Sequence, residues 1–519
     1  MQPPYDVVII GAGVAGLTAA YQLAEQGLRP LLLEAHPQHV GGRLRSEPPI
    51  QIQHHDRSWI FPSEHGVHGI WDSYVNLKAL LDRLNLAARQ PSIDEAWIHI
   101  ESGRVRRAAI GRALHAGPLP APFHYLHLFS RPRFFAMLGL LDLIAIPRVY
   151  ASLLVALGID PIAEQNALRG MSLADFTKGW SPRLRSFFAG LARNALAAHP
   201  EDVPAAGFIA FLRFYSVARR TAWQFEFLDG TGGACVCQPL AAEIERLGAS
   251  IQLGTEVQQL HYTPDTSWEI QAVRAGAAIT LTAKTVILAL DAPAAKQLLN
   301  QSPTLADRAR ELWFPTGVPT AILRFWFAVT PHTPAPSGIF SGDVTADNFF
   351  WLNQIQPAFR EWSEATGGSA VEIHIYGPPE LLAQPDASLI AQVQQDLTRA
   401  FPETRGQVIH VALQRNPASH TLFGVAAADQ HPGITTPWPY LFACGDWVAY
   451  PSPALYLERA TTTGMAAANA VLRHYHLAEQ PLAEHPAAEP PAATIGRWIE
   501  GLRRRVRRRA KRTSQRHQA

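Results

Sequence analysis

The ten residues VVIIGAGVAG, Val7 to Gly16, place the tightest condition on the fold of this chain. Four apolar residues run straight into glycines at 11, 13 and 16, and an Ala/Leu-rich stretch follows as far as Gly27. That order reads as a fully buried strand, a tight turn and a helix. Gly11 allows the turn, Gly13 lets backbone approach a pyrophosphate, and Gly16 lets helix and strand pack closely. The helix N-terminus behind them supplies unpaired N–H groups and a partial positive charge for that pyrophosphate. "LRPLLLEA" then gives a second buried strand ending at Glu34. Its carboxylate is placed for a ribose 2′-hydroxyl and disfavours a 2′-phosphate, so NADP does not suit the site. Ala15 and Ala35 flank these residues and are assigned to the same dinucleotide site.

The next segment selects the dinucleotide. "LEAHPQHVGGRLRS" brings Gly41, Gly42 and Arg43, two glycines for backbone access and a fixed cation for the same pyrophosphate. Nicotinamide enzymes have no need of that second contact. Far downstream, "FACGDW" sets Gly445 and Asp446 at the end of another strand, suited to a ribityl hydroxyl or a phosphate. The helix after it can aim its N-terminus at a flavin pyrimidine, where negative charge gathers on reduction. Three separated pieces thus point to non-covalent FAD. Cys444 lies at the strand end, away from where a thioether to the ring methyl edge would form.

At 519 residues the chain is too long for one ordinary core. The expected fold class is α/β: a Rossmann-like FAD-binding domain built from three sequence segments, with an inserted α+β substrate domain. The FAD-binding pieces are read at 1–95, 225–300 and 431–475, and the substrate domain, which also faces a membrane, at 96–224 and 301–430. The Pro/Ala/Glu-rich stretch 476–494 reads as a linker, and 495–519 as a basic amphipathic tail.

The motifs together resemble the flavin amine oxidase and carotenoid (phytoene) desaturase superfamily. Within it, "EHGVHGIWDSYVNLKALLDRL" and "PALYLERATTTGMAAANAVL" resemble bacterial carotene desaturases, nearest to the β-carotene desaturase/methylase (isorenieratene synthase) group. By that resemblance Val257 contacts adenine through its backbone, and Glu458 of the E-R-A segment joins the cofactor residues. Arg459 stands where many members have glycine, and the aromatic pair expected for amine oxidation is not evident. The activity implied is desaturation of a carotenoid or related polyene isoprenoid by hydride transfer to flavin N5, with ring aromatisation and a methyl shift as an open extension. A flavin amine oxidase working on a soluble amine and a redox-neutral carotene isomerase stay open beside it. The electron acceptor is not legible.

Such chemistry needs a greasy tunnel more than a catalytic triad. "FHYLHLFSRPRFFAMLGLLDLIAIPRVYASLLVALG" and "FIAFLRFYSVARR" offer material for one, or for plain core, or for a patch that dips into lipid with Arg131, Arg133 and Arg148 at headgroup level. The run from Phe134 to Leu157 is interrupted by Asp142, Pro147 and Arg148, so no full membrane span is expected. His65 and His68 fall near the flavin's reactive face by the resemblance. His68 is the candidate catalytic residue, as a proton carrier, against a structural hydrogen-bonding role. No metal site is expected. Tyr456 matches an aromatic that frames amines in one branch, and reads here as tunnel wall or core.

Net charge is +2, but nine Lys/Arg and no acid follow from Arg503 onward, leaving 36 bases against 43 acids before it. The basic character is a tail, which excludes a body-wide nucleic-acid surface. In that tail Ile495, Trp498, Ile499, Leu502 and Val506 recur at near-helical spacing, the pattern of an interfacial helix on anionic lipid. Three cysteines, without a C-x-x-C motif, fit a reducing compartment, and Asp6 stands where a signal peptide is apolar. The expected place is cytoplasmic, peripheral at the cytoplasmic face of a membrane, with a hydrophobic isoprenoid as substrate.

Overall fold

The computed structural model describes residues 5–518 apart from 87–88, 93, 165–167, 264–266, 334, 425 and 428. The strand Tyr5–Ile10 lies at the middle of a seven-stranded sheet among the described residues. It pairs in parallel with Leu31–Leu33 on one side and Ala277–Leu288 on the other. Ser250–Gln252 extends the sheet beyond Leu31–Leu33, and Leu441–Ala443 pairs in parallel with the far end of Ala277–Leu288. Val7, Val8 and Ile9 have no exposed surface, which is why their run is continuously apolar and does not alternate: helices and loops cover both faces. The other end of the 277–288 strand joins an antiparallel ribbon with Trp268–Arg274 and Thr255–Tyr262.

The helix Val14–Glu25 leaves the central strand and packs along Tyr456–His474. Their approach is close enough that a Cβ on Gly464 would overlap the Ala15 carbonyl oxygen. The small residues of "TTTGMAAANA" answer that contact: bulkier side chains would hold the helices apart.

A second sheet runs in the order Val408–Thr421, Gly317–Phe327, Ser369–Ile375, Asn348–Trp351, Ser337–Gly342, Glu95–Glu101 and Arg104–Ala109. It is antiparallel except where Ser337–Gly342 meets Glu95–Glu101. Gly69–Trp71, Phe225–Leu228 and Arg89–Pro91 form a separate three-stranded antiparallel sheet. Helices from the stretch 111–217 close the remaining side with a continuous apolar cluster that includes Trp97, Phe187, Phe208 and Phe211.

Pro147 does not break its segment: Leu140–Leu157 is one helix of 18 residues, long and apolar enough to cross a membrane by length and composition. Only part of its surface is built into the protein. Asp142, buried at its start, accepts from the Gly139 N–H at 2.7 Å and pairs with Arg183 at 3.3 Å. Its C-terminal end packs under a helix that begins at Pro490, five residues before the expected tail, and runs to Gln518. Ile499 sits over Gly158, and Arg503 pairs with Glu164 at 2.9 Å and donates to the Gly158 carbonyl at 2.6 Å.

The linker-like stretch before that helix is a strap tied to the body. Gln480 N–H donates to Asn469, Ala483 N–H to Asn76, and Glu489 accepts from the backbone of Ala121 and Arg220. Its prolines prevent regular structure, while these side chains hold it in place.

Candidate cofactor cleft and adjoining cavity

The glycine turn forms the floor of a long cleft lined by Gly11, Gly13, Ala15, Glu34, Gly42, Arg43, Gly445 and Asp446. Gly11 has φ +103°, and a Cβ there would fall 2.7 Å from the Ala289 carbonyl oxygen. At Gly16 a Cβ would overlap the carbonyl oxygen of Gly11, so this glycine packs behind the cleft and does not line it. Gly13 is the opposite: no protein atom lies within 4 Å of where its Cβ would be, so the open space belongs to the cleft. Gly41 and Gly42 follow with φ +118° and +55°, and the Gly41 N–H donates to the Ala12 carbonyl at 2.8 Å, closing the two glycine turns on each other.

Glu34 is held at the rim by the N–H groups of Ala12 at 2.8 Å and His36 at 2.9 Å. Beyond it, Ala35 and Val257 line a recess continuous in sequence order with Glu34, the place expected for the adenine end. At the other end Arg43 pairs with Asp446 at 2.8 Å, and Asp446 also accepts from Thr421 Oγ1 at 2.9 Å. Burial pushes the Asp446 carboxyl up, but Arg43 and the Thr421 hydroxyl outweigh it and hold it below the usual carboxylate range. Desolvation opposes the Arg43 charge, and Asp446 beside it more than restores it. The second oxygen of Asp446 is buried without a protein partner, as a group awaiting a polyol hydroxyl would be. The glycine floor, the rim carboxylate and this unmet acceptor fit an FAD laid along the cleft.

Glu458 corrects the sequence reading. It is fully buried and faces away from the cleft, accepting from the backbone N–H groups of Asn76 and Leu77 at 2.9 Å each and from His485 at 2.9 Å. It thereby caps the helix Val75–Arg83, whose unpaired N–H groups attract an acid as readily as a phosphate does. Arg459, the departure from glycine, is buried and donates to the carbonyls of Val448, Tyr450, Ser452 and Ala454. Burial lowers its pKa to about 10, so it keeps its charge and staples the loop that follows Asp446.

Sequence reasoning missed four contributors, Ala289, Leu290, Asp291 and His420, while Tyr456 stands where the sequence reads tunnel wall or core. Ala289, Leu290 and Asp291, at the end of the strand "TVILAL", line the cleft beside Gly11. His420 and Tyr456 stand together, ring centroids 5.4 Å apart, where the cleft opens into a second cavity. Tyr456 has φ +55°, strained for an aromatic residue, and its buried hydroxyl has no partner. A helix-starting aromatic was visible in "PALYLERA"; a histidine at the end of "ASHTLF" carried no signal of its own.

His65, His68, His420, Tyr456 and Leu457 line both spaces. Burial lowers the pKa of His65 to about 2 and that of His420 to about 4, so both are neutral rings. His68 Nδ1 stands 3.6 Å from Glu64 Oε2. The segment carrying these histidines is fixed from below. Arg324 donates to Ser63 Oγ at 3.0 Å and to the Glu64 carbonyl at 2.7 Å, and pairs with Glu372 at 2.7 Å. Glu372 accepts from the Val67 N–H at 2.6 Å and pairs with His374 at 2.7 Å. Burial works against this carboxylate, yet Arg324 and His374 hold it down to about 2.

The second cavity is walled by Trp71, Tyr215, Trp223, Phe225, Phe227 and Phe350. Trp71 is central: its ring lies 5.2 Å from Tyr215, 6.0 Å from Trp223 and 5.0 Å from Phe225. Such a wall excludes water and offers flat apolar surface along its length. Cys444 is fully buried between strands, and burial pushes its thiol up. Among the described residues no group of three or more His, Cys, Asp or Glu is arranged to hold a metal ion.

A parallel sheet with a double-glycine cleft, joined to an apolar cavity, defines an FAD-dependent oxidoreductase. Comparison with known proteins gives the particular family: residues 14–472 match the model for flavin containing amine oxidoreductase, and the chain belongs to that family. A carotenoid phi-ring synthase of Streptomyces griseus is 28% identical over 91% of this chain and 89% of its own length. A chloroplastic/chromoplastic 15-cis-phytoene desaturase of Narcissus pseudonarcissus is 21% identical over 91% of this chain and 80% of its own. Among solved structures, cyclohexylamine oxidase from Brevibacterium oxydans IH-35A superposes with a TM-score of 0.65 at 18% identity, over 91% of this chain and all of its own, a likeness of fold. The cofactor is FAD.

Proposed function

We propose that this oxidoreductase removes hydrogen from a carotenoid or related polyene isoprenoid. The observation that carries the reading is the aromatic-walled cavity opening onto the cofactor cleft through His65, His68, His420 and Tyr456. Relatives named for carotenoid phi-ring synthesis and phytoene desaturation support it, and the former favour a cyclic end group as the part acted on. FAD, when bound, supplies the two-electron acceptor. The chain's own residues do the rest. Trp71, Phe225 and Phe227 hold flat apolar surface against a polyene, and Tyr456 with His420 narrows the passage to the cleft. Neutral His65 and His420 place no charge beside an apolar substrate, and His68, within reach of Glu64, is the group placed to move a proton. Ring aromatisation with a methyl shift is the fuller version of the same activity.

Expression in strains that accumulate lycopene, γ-carotene or β-carotene tests this by pigment mass. A product lighter by two hydrogens per step is expected. Unchanged mass with altered isomer composition favours the isomerase, peroxide release on a soluble amine favours the amine oxidase, and unchanged pigment with FAD bound rejects the substrate class.

Peripheral attachment at the cytoplasmic face of a membrane belongs to the same proposal. Leu140, Leu141 and Ile144 are 74%, 70% and 67% exposed on one helix, and Trp498 and Val506 are 66% and 67% exposed on the tail helix packed beside it. Arg131, Arg133, Arg148, Arg504 and Arg505 are exposed as well. An apolar face fringed with arginines suits an anionic lipid surface. Sedimentation with anionic and with neutral vesicles checks it, anionic vesicles retaining more protein.

A further inference from the structure

The polar groups on the cavity wall fall into two sets. Most are already paired within the protein. Asn348 donates to Asn194, His374 Nδ1 bonds the Tyr376 hydroxyl at 2.8 Å, and Thr320 Oγ1 accepts from Asn416 at 2.9 Å. Two neighbours on the part of the cavity that does not line the cofactor cleft are not. Glu95 is 7% exposed with Oε2 unpartnered, and Trp223 is 5% exposed with its indole Nε1–H unpartnered. The Trp223 indole N–H is directed at the Glu95 carboxyl and draws its pKa down as a hydrogen-bond donor does, but the contact falls short of ordinary hydrogen-bond geometry. Burial wins and raises that pKa to about 8, so the group enters neutral solution as the acid.

A hydrocarbon filling this space would leave that poorly made contact as their only pairing, an arrangement that folded proteins avoid. A hydroxyl answers both at once. Its oxygen accepts from the indole N–H and from the carboxylic O–H, and its own hydrogen can be donated to the carboxyl.

We propose that Glu95 and Trp223 form a specificity site for a hydroxyl group on the part of the substrate that lies away from the flavin. The proposal rests on the polyene reading above and deepens it: the preferred substrate is an oxygenated polyene and not the bare hydrocarbon.

The test compares a hydrocarbon carotenoid with its ring-hydroxylated counterpart on the FAD-loaded protein, by quenching of tryptophan fluorescence and by kcat/KM. The hydroxylated compound is expected to bind about tenfold tighter, the scale of one well-made hydrogen bond. Glu95→Leu and Trp223→Phe bring that ratio toward one, chiefly by weakening the hydroxylated ligand, while Glu95→Gln, which keeps a donor and an acceptor, retains most of it. Bound FAD and melting temperature report whether each variant is folded, and the wild-type ratio needs no variant. Equal affinity of the two polyenes in the wild type overturns this inference and leaves the polyene reading standing. Binding of neither polyene overturns that reading first. Preferential binding of a soluble alkylammonium, lost in Glu95→Gln, overturns both.

Discussion

The cleft and the cavity beside it are built from different materials. The cleft is made of backbone: Gly11, Gly13, Gly42 and Gly445 leave bare main chain, and its one strong charge pair, Arg43 with Asp446, is 2.8 Å long. The cavity is made of side chains contributed by strands and helices spread from Trp71 to Tyr456. Where backbone packs on backbone, as at Gly11 and Gly16, an added carbon has nothing that can rotate away; where it faces the cleft, as at Gly13, the carbon takes the cofactor's space. Side-chain sites tolerate replacement of one ring by another and are sensitive to what pins the rings from behind. The same fold can therefore keep one cofactor while its substrate space diverges.

The largest effect that sharpens this contrast is at the turn. Gly16→Ala drives a methyl into the Gly11 carbonyl, and the Ala289 Cβ at 3.1 Å limits relief. A destabilisation of about 3 kcal/mol or more is expected, read by urea denaturation. Gly13→Ala meets no protein atom, so the apoprotein keeps its stability while flavin per protein, measured by absorbance, falls about tenfold or more. Equal loss of stability in both variants would break the distinction between a packing glycine and a cofactor glycine.

Next comes the support under the cavity mouth. Arg324→Met leaves Glu372 buried without its cation and frees the Ser63–Val67 segment, at about 3–5 kcal/mol. The pH dependence has a defined sign. Glu372 is held at about 2, below the usual 4.5, so its contribution is complete above about pH 4.5 and is lost as pH falls through about 2. The loss is on the order of 3 kcal/mol. The acid arm of the stability curve should flatten in Arg324→Met.

How much of this was legible follows the same division. The glycine cleft could be read from Val7–Gly16, Gly41–Arg43 and Gly445–Asp446, because the spacing of glycines is itself the geometry. Glu458 misled, because an acid at a helix start serves a cofactor or a neighbouring helix with the same local pattern; its partners Asn76, Leu77 and His485 are hundreds of residues away or in the strap. Arg324 and Glu372 had a signal that passed unused: each is a charge in the middle of an apolar strand, "AILRFWF" and "AVEIHI". Such a residue is tolerated only when paired. Glu95 had none, since a glutamate at a strand start reads as surface until its burial is seen.

Glu95 provides a pH effect of the opposite sign. Burial raises its pKa from 4.5 to about 8. The folded state holds this proton where the unfolded state has released it, so stability is greatest below about pH 4.5 and declines as pH rises toward about 8. Glu95→Gln carries no titrating proton and should remove that slope, gaining on the order of a few kcal/mol near pH 8. Thermal melts across that range check it, and an unchanged slope would mean that the carboxyl is hydrated in solution.

The smallest expected effect tests the border between the two regions. Tyr456 lines both, and its hydroxyl is buried without a partner. Tyr456→Phe removes an unmet polar group and leaves the ring against His420 and the backbone at φ +55° unchanged. Stability should rise by no more than about 1 kcal/mol, and bound FAD should be retained. If flavin is lost instead, that hydroxyl serves the cofactor and the cleft extends past Tyr456. If flavin is kept while turnover of the polyene changes, it faces the substrate, and the cavity begins at this ring.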